Sequence, residues 1–475
     1  MNIDKEKTVA DTELLIVGGG PAGYPAAFIG ADHGLDVTLV DMEDNPGGVC
    51  LYRGCIPSKA LLHVAEIMTE AREAEAFGVT FGEPVLDVDK LREWKNSVVT
   101  KLTGGLGQLG KQRNVNFVKG RATFTSANSV EIEAADGSKK TMTFDNAIVS
   151  TGSSPAMIPF ARGLNRVMDS TGALALEDIP ERLLVVGGGY IGLELGQAYA
   201  AFGSKVSVVE MLPNLMAGAD PDLSRVLAQR VKKDFEAVML STKVLGMESN
   251  ETSVTVRFES ADGKRSEDTY DRVLVSVGRR PNSADLGLET TAVVVNEQGF
   301  IEIDNQRRTA EPCIYAIGDV AGEPMLAHKA THEARVAIEA IKGHKTIYDP
   351  SAIPAVVFTN PQIAWCGITE REAKEQGIEV KIAKFPWAAS GRATTLGRSD
   401  GLTKLIADAE TERILGVGLV GPGAGEMIAE GTLAIEMGAV AEDIALTIHP
   451  HPTLSETIME AAEAISGKAV HYVSR

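Results

Sequence analysis

The chain has 475 residues, long enough for several domains, and carries 46 basic against 65 acidic side chains for a net charge of −19. That balance argues against general nucleic-acid or anionic-membrane binding, and a 44% hydrophobic content argues against disorder. Only four cysteines occur, Cys50, Cys55, Cys313 and Cys366, which excludes a disulfide-rich scaffold and fits a reducing compartment.

Residues 1–7 mix both charges and lack an apolar core, so no secretory signal is expected. The uncharged run from Leu14 to Ala31 raises the question of a membrane span. Gly18-Gly19-Gly20-Pro21 breaks it and Asp32 ends it, so it reads as a buried strand, a tight turn and a helix. A soluble, cytoplasmic protein with no membrane partner is expected. Pro25 falls near the helix start and should remove the first intrahelical bond.

Leu14–Asp41 returns as Leu183–Glu210 at an offset of 169, with eleven of 28 positions identical. Both copies read apolar strand, Gly-Gly-Gly-x-x-Gly, helix, glycine, apolar strand, acidic residue. That is the context of a dinucleotide fingerprint. Gly18 and Gly187 permit the tight turn, Gly20 and Gly189 let the backbone approach a pyrophosphate, and Gly23 and Gly192 let helix pack on strand. The helix N-terminus offers orphan N–H groups to the phosphates. Asp41 and Glu210 each follow the last glycine by 18 residues, where a carboxylate accepts ribose hydroxyls. Glu210 would repel a 2′-phosphate and so favours NAD over NADP. Two units imply two dinucleotides, or one dinucleotide and a flavin.

Cys50-Leu51-Tyr52-Arg53-Gly54-Cys55-Ile56-Pro57-Ser58-Lys59 follows the first unit closely. Zinc would need another ligand pair, and Cys313 and Cys366 are isolated. Two packed core thiols remain an alternative. A redox-active disulfide is the favoured reading. Residues five apart on a regular helix point about 140° apart, so a bridge needs the distorted turn that Gly54 and Pro57 allow. A helix from Pro57 to about Phe77 would place Cys55 at its N-terminus, where a thiolate is stabilised. Lys59, one turn on, reads by itself as a solvated surface lysine. Cys313 and Cys366, in β-like runs, read as core residues.

At this point the sequence resembles the pyridine nucleotide–disulfide oxidoreductases, and within them the dihydrolipoamide dehydrogenase branch. The resemblance rests on GGGPAGYPAA, GGVCLYRGCIPSKALLHVA, VVGGGYIGLE, VSVGRRPN, YAIGDVAGEPMLAHKA and IHPHPTLSE, in that order. It implies an α/β fold: two Rossmann-like dinucleotide-binding domains, for FAD and NAD, plus a C-terminal α+β dimerisation domain. The expected divisions are an FAD domain at 1–156, an NAD domain at 157–277, a central segment completing the FAD site at 278–349 and an interface domain at 350–475. In the last, helices should open at Gly421-Pro422-Gly423 and at Pro452, among β-like runs at Ala352–Trp365, Leu402–Ala407 and Ile414–Val420.

By the same resemblance Cys50 is the interchange thiol and Cys55 the thiol against the flavin. Lys59 lies near the flavin and pairs with Glu194. Gly18, Gly20, Gly23, Asp41, Gly152 and Asp319 serve FAD; Gly187, Gly189, Gly192, Glu210 and Gly278 serve NAD. His451 and Glu456 form an acid–base pair that reaches the disulfide of the other subunit of a homodimer; His449 reads as structural. No metal is implied. The implied reaction reoxidises protein-bound dihydrolipoamide and passes hydride to NAD⁺. No lipoyl domain is read ahead of Leu14, so the lipoyl group is expected from a partner, with an acyltransferase core of a 2-oxo acid dehydrogenase or glycine-cleavage complex. Leu-Tyr-Arg-Gly between the cysteines departs from the family's usual Leu-Asn-Val-Gly, which puts rate and substrate preference in question. The rivals are a glutathione-type disulfide reductase, a mercuric reductase and a flavin-bound scaffold subunit. No basic residue follows Glu210 in Met211–Leu215, against the first. The tail His471–Arg475 has no cysteine pair, against the second. Retention of both thiols, His451 and Glu456 argues against the third.

Overall fold

The computed structural model describes residues 10–473. Residues 1–7, where no secretory signal was expected, and the end of the C-terminal tail lie outside the described residues. Two compact units are present: Met1–Ala60 with Asp89–Ala156 and Gly278–Asp349, and Leu61–Val88 with Met157–Val277 and Pro350–Arg475.

The first unit is built on parallel strands in the order Asn116–Lys119, Val37–Asp41, Thr12–Val17 and Lys139–Val149, with Ile314–Ala316 also paired to the last. Lys139–Val149 continues into antiparallel pairing with Ser129–Glu133, which pairs in turn with Arg121–Ser126. Alternation along the strands covers both faces. Leu14, Ile16, Leu39 and Ile148 pack with Ala26 and Ala27 of the helix Gly23–Asp32 and with Ala334 and Ile338 of the helix Ala327–Ile341. Leu15, Val17, Val40 and Val149 pack with Phe124 and Phe144 on the other side. A parallel sheet covered on both faces requires the near-continuous apolar strands seen in the sequence. Pro25 removes the second helical bond rather than the first. Tyr24 donates to the Gly20 carbonyl at 3.0 Å and Ala26 to that of Ala22 at 3.2 Å, with Pro25 between them. The helix after the cysteines begins at Cys55 rather than Pro57. It ends at Glu73, and Ala74–Phe77 continues as a 3₁₀ turn.

The second unit holds a parallel sheet in the order Ala237–Met239, Lys205–Val209, Arg182–Val186, Arg272–Val275 and Val167–Met168. A three-stranded antiparallel sheet, Thr242–Ser249, Val254–Ser260 and Arg265–Tyr270, shares its core. The C-terminal part is a five-stranded antiparallel sheet with Ile414–Gly421 at its centre, covered by the helices Ala424–Glu436 and Glu456–Ile465. The expected run Ala352–Trp365 is two strands, Ala355–Val357 and Gln362–Gly367, interrupted at Asn360-Pro361. Pro452 does not open the last helix; Glu456 is its first residue. Cys366 is buried, and burial pushes its thiol up to about 11. Cys313 sits at the edge of the first unit's core, its sulfur donating to the Ala127 carbonyl at 3.2 Å.

A buried ion cluster ties the C-terminal sheet to the helix Pro221–Asp234. Lys404, 1% exposed, contacts Asp220 at 2.6 Å, Asp222 at 2.8 Å and Glu370 at 2.8 Å. Lys384 adds contacts to Asp222 at 2.7 Å and Glu370 at 3.0 Å. The three carboxylates converge closely enough to suggest a metal site, but two ammonium groups are already paired with them. Burial would raise the Asp222 and Glu370 carboxyls, yet hydrogen bonds from the two lysines outweigh it and hold both below their ordinary values. Lys404→Met should therefore lower stability by about 3–5 kcal/mol, read as an earlier urea midpoint at neutral pH, because buried carboxylates lose their counter-charge. A depressed folded-state pKa stabilises above the unfolded value and is lost as pH falls through the folded one. The difference between wild type and variant should therefore shrink in acid; a constant difference across pH would count against this assignment.

Candidate functional site

The two glycine turns are the same object built twice. Gly18 and Gly187 have φ of 102° and 110°, a region closed to side chains, and a Cβ at either would collide with the Ser150 or Ser276 carbonyl. Asp41 accepts the Gly19 N–H at 2.5 Å and the Glu43 N–H at 2.9 Å; Glu210 accepts the Gly188 N–H at 2.6 Å and the Leu212 N–H at 2.8 Å. Each partner pair is displaced by the same 169 residues. Both carboxylates are thus oriented by the turn at the end of the second strand, with acceptor capacity left for ribose hydroxyls. Burial pushes the Asp41 carboxyl up, against the Gly19 N–H and the Arg53 charge.

Two residues of this arrangement escaped the sequence reading. Ser150 donates to the carbonyls of Val17 at 3.0 Å and Gly18 at 2.8 Å; Ser276 donates to those of Val186 at 3.1 Å and Gly187 at 3.4 Å. The signal was present as a second repeat, Ile148-Val-Ser-Thr-Gly-Ser-Ser-Pro155 against Leu274-Val-Ser-Val-Gly-Arg-Arg-Pro281, offset by 126. Within the first unit the later parts of these copies pair with each other. Asn282 donates to the Gly152 carbonyl at 2.9 Å and Ala156 to the Gly278 carbonyl at 2.9 Å, beside the strand pair Ser153–Pro155 and Arg279–Pro281. Asp319 accepts from Ser153 Oγ at 2.5 Å, and Ser153 Oγ accepts from Arg279 Nε at 2.7 Å.

These surroundings fit two dinucleotides. A Cβ at Gly189 would meet nothing within 4 Å, and one at Gly20 only the Gly48 Cα at 3.8 Å, so both turns have room for a pyrophosphate against bare backbone.

Cys50 lies on the short helix Gly48–Arg53 and Cys55 opens the next, Cys55–Glu73. The break falls on Gly54, where a Cβ would meet the Val49 carbonyl at 2.9 Å and the Cys50 Cα at 3.2 Å. That close approach brings the two thiols into hydrogen-bond contact. The bond to Cys55, then burial, hold the Cys50 thiol far above its ordinary value, while the Lys59 charge pulls the other way. Cys55 is the exposed member. Tyr52 and Arg53 turn to the preceding loop. Tyr52 Oη donates to the Asn45 carbonyl at 3.0 Å, and the Arg53 guanidinium pairs with Glu43.

His451 Nδ1 lies 2.8 Å from Glu456 Oε1, and Glu456 Oε2 accepts the Thr453 N–H at 2.7 Å. The carboxylate thus fixes both the imidazole and the loop that carries it. Burial would raise the Glu456 carboxyl, but these partners outweigh it and hold it below the usual range. Its helix is anchored from below by a buried chain, Thr457 to Thr403 at 2.7 Å and Trp387 Nε1 to Thr403 at 2.9 Å. His451 is 79% exposed. The His449 side chain instead is only 5% exposed, with Nε2 on Glu430 at 2.7 Å and Nδ1 on the Thr447 carbonyl at 2.8 Å. Glu194 is buried in its own unit and accepts the Phe358 N–H at 2.9 Å.

Residues 12–334 match the pyridine nucleotide-disulphide oxidoreductase family, and residues 353–462 match its dimerisation domain. The chain belongs to this family. Among curated relatives, the dihydrolipoyl dehydrogenase of Vibrio cholerae is 49% identical over 96% of both chains. That of Geobacillus stearothermophilus is 48% identical over 98% of both. Among solved structures, LpdA from Mycobacterium tuberculosis superposes with a TM-score of 0.88 at 26% identity, covering 96% of this chain and 99% of that one. The flavoprotein disulfide reductase RclA from Escherichia coli gives 0.85 at 27% identity, covering 95% and 99%. As a family member the chain is a homodimeric flavoprotein oxidoreductase that uses FAD and NAD. Its dimerisation domain exposes Leu433, Met437, Leu446 and Ile448 on the single chain, apolar surface of the kind a partner subunit covers. No helix among the described residues is long and apolar enough to cross a membrane.

The close approach at Gly54 generates a prediction. Gly54→Ala should force the two helices apart and slow closure of the Cys50–Cys55 disulfide about tenfold, the rate equivalent of about 1.4 kcal/mol of overpacking strain. Rapid-quench thiol alkylation reads this directly. An unchanged closure rate would mean that the glycine is incidental.

Proposed function

We propose that this chain is a dihydrolipoyl dehydrogenase, with Cys50 and Cys55 as its redox couple and His451–Glu456 as its acid–base pair. The observation that carries the reading is the pair of thiols held in contact across the helix break at Gly54. The names of the relatives support the substrate, and the absence of basic residues after Glu210 supports NAD. In the oxidised couple, a substrate thiolate attacks Cys50 Sγ; the S–S bond breaks and its electron pair leaves on Cys55 Sγ. His451 takes the proton of the second substrate thiol, and that sulfur then displaces Cys50 from the mixed disulfide, releasing the cyclic disulfide. Glu456 holds Nδ1, which leaves Nε2 for proton transfer and stabilises the imidazolium.

In this reading Gly18, Gly20, Gly23, Asp41, Gly152 and Asp319 hold FAD, and Gly187, Gly189, Gly192, Glu210 and Gly278 hold NAD. Bound FAD supplies the two-electron acceptor that links the dithiol to NAD⁺. The domain division at 156, 277 and 349 follows the same assignment. His451 serves the disulfide of the partner subunit. Lipoyl domains on the acyltransferase core of a 2-oxo acid dehydrogenase complex are the proposed partners, in the cytoplasm.

His451→Gln should keep flavin and fold but lose dithiol turnover by about 10²–10⁴-fold, the worth of a positioned general base. Stopped-flow reduction by dihydrolipoamide checks it, and near-normal kinetics would reassign the histidine. Glu210→Arg should move preference toward NADP, read as the ratio of kcat/KM for the two nucleotides. An unmoved ratio would remove Glu210 as the ribose ligand.

A further inference from the structure

Asp319 sits on an isolated 3₁₀ turn, Gly318–Val320, outside the sheet and the long helices. The strand Ile314–Ala316 ends with Ile317 donating to the Val149 carbonyl at 3.0 Å. The chain then enters Gly318 at φ 78° and passes through the single turn Gly318–Val320 to Gly322. Its backbone polar groups need partners, because a buried N–H left unpaired is costly. Ala321 donates to the Gly318 carbonyl at 3.0 Å and Ile301 to the Val320 carbonyl at 2.9 Å, and the helix Ala327–Ile341 supplies partners at the two ends. Glu333, 0% exposed, accepts the Gly318 N–H at 2.7 Å. Lys329, one helical turn earlier on the same face and also buried, donates to the Gly322 carbonyl at 2.9 Å. The two side chains meet at 3.2 Å, and Arg307 adds a contact to Glu333 at 3.0 Å, its guanidinium lying 4.5 Å over the Tyr348 ring. One end of the turn is gripped by a carboxylate and the other by an ammonium, and the two grips are bonded to each other.

We propose that Glu333 is a positioning residue for the flavin: through Lys329 and Arg307 it sets the Gly318–Gly322 turn so that Asp319 meets the ribityl chain. This rests on the reading that Asp319 holds FAD. A buried carboxylate suits the task, because a charge-assisted bond to a single backbone N–H fixes the turn without adding bulk on the cofactor side.

The test uses the flavin-loaded dimer. Flavin release is followed by fluorescence on dilution and on heating, alongside far-UV circular dichroism. Glu333→Gln removes the charge-assisted bonds and should speed release about tenfold or more. Release should then precede loss of secondary structure on heating, whereas a purely structural role would move both midpoints together. Lys329→Met, which frees the Gly322 end and leaves Glu333 its bonds to Gly318 and Arg307, should give a smaller acceleration of the same kind and serves where the first variant does not fold. Asp319→Asn is the control for the underlying reading. If it speeds release while Glu333→Gln and Lys329→Met do not, the positioning role is overturned. If Asp319→Asn leaves release unchanged, the flavin assignment of the turn fails instead, and the proposal with it.

Discussion

A glycine laid against a serine carbonyl decides most of this architecture. At Gly18 and Gly187 the chain reverses between strand and helix in a conformation that no side chain tolerates, and the neighbouring strand's last carbonyl fills the space where a Cβ would stand. From that single contact the rest follows. The helix N-terminus is aimed outward over the strand ends, so its unpaired N–H groups can only be satisfied by water or by an anion. The serine hydroxyls bond the carbonyls at the strand ends, and the acidic residue of the next strand takes the free turn N–H.

The cysteine site depends on the same kind of approach, but for the opposite purpose. In the glycine turns, bare backbone makes room for a ligand. At Gly54 it brings two side chains of the protein together, because a regular helix would point Cys50 and Cys55 apart. Leu-Tyr-Arg-Gly raised the prospect of a charge and a ring crowding the sulfurs. The ring hydroxyl binds Asn45 and the guanidinium binds Glu43, so both brace the loop beyond Asp41. The departure is thus tied to the dinucleotide turn as much as to the thiols, and Arg53 also reaches Asp41 electrostatically.

What could be read from the sequence follows the range of the interactions. The glycine turns and the strands Leu402–Asp408 and Ile414–Gly421 were visible because their signals are local: glycine spacing, apolar periodicity and turn residues. The shorter repeat around Ser150 and Ser276 was equally local but hid within eight residues, and a lone serine carries no periodicity. Boundaries set by side-chain capture were invisible. Pro452 looked like a helix start, but Glu456 is held outward by His451 and the Thr453 N–H, and those bonds place the first helical turn four residues later. Lys404 and Glu333 could not be found at all, because a buried charge is recognised only through partners remote in sequence.

Those two buried charges show where a fold of this kind needs ions and where it does not. Strand and helix satisfy their own backbone, and their apolar faces are covered on both sides, so neutral packing suffices in the sheets. A buried salt bridge adds little net stability over well-packed apolar groups, so its presence calls for a geometric reason. At Lys404 the reason is a junction: three carboxylates from two helix N-termini converge on one strand, and the ammonium fixes them relative to that strand. At Glu333 it is a short turn whose two end groups, the Gly318 N–H and the Gly322 carbonyl, are bonded by side chains of one helix. Packing is non-directional and could not hold such a turn in one orientation. A carboxylate on a rigid helix, itself fixed by Lys329 and Arg307, specifies direction as well as distance, which is the property that a residue meant to meet a cofactor requires.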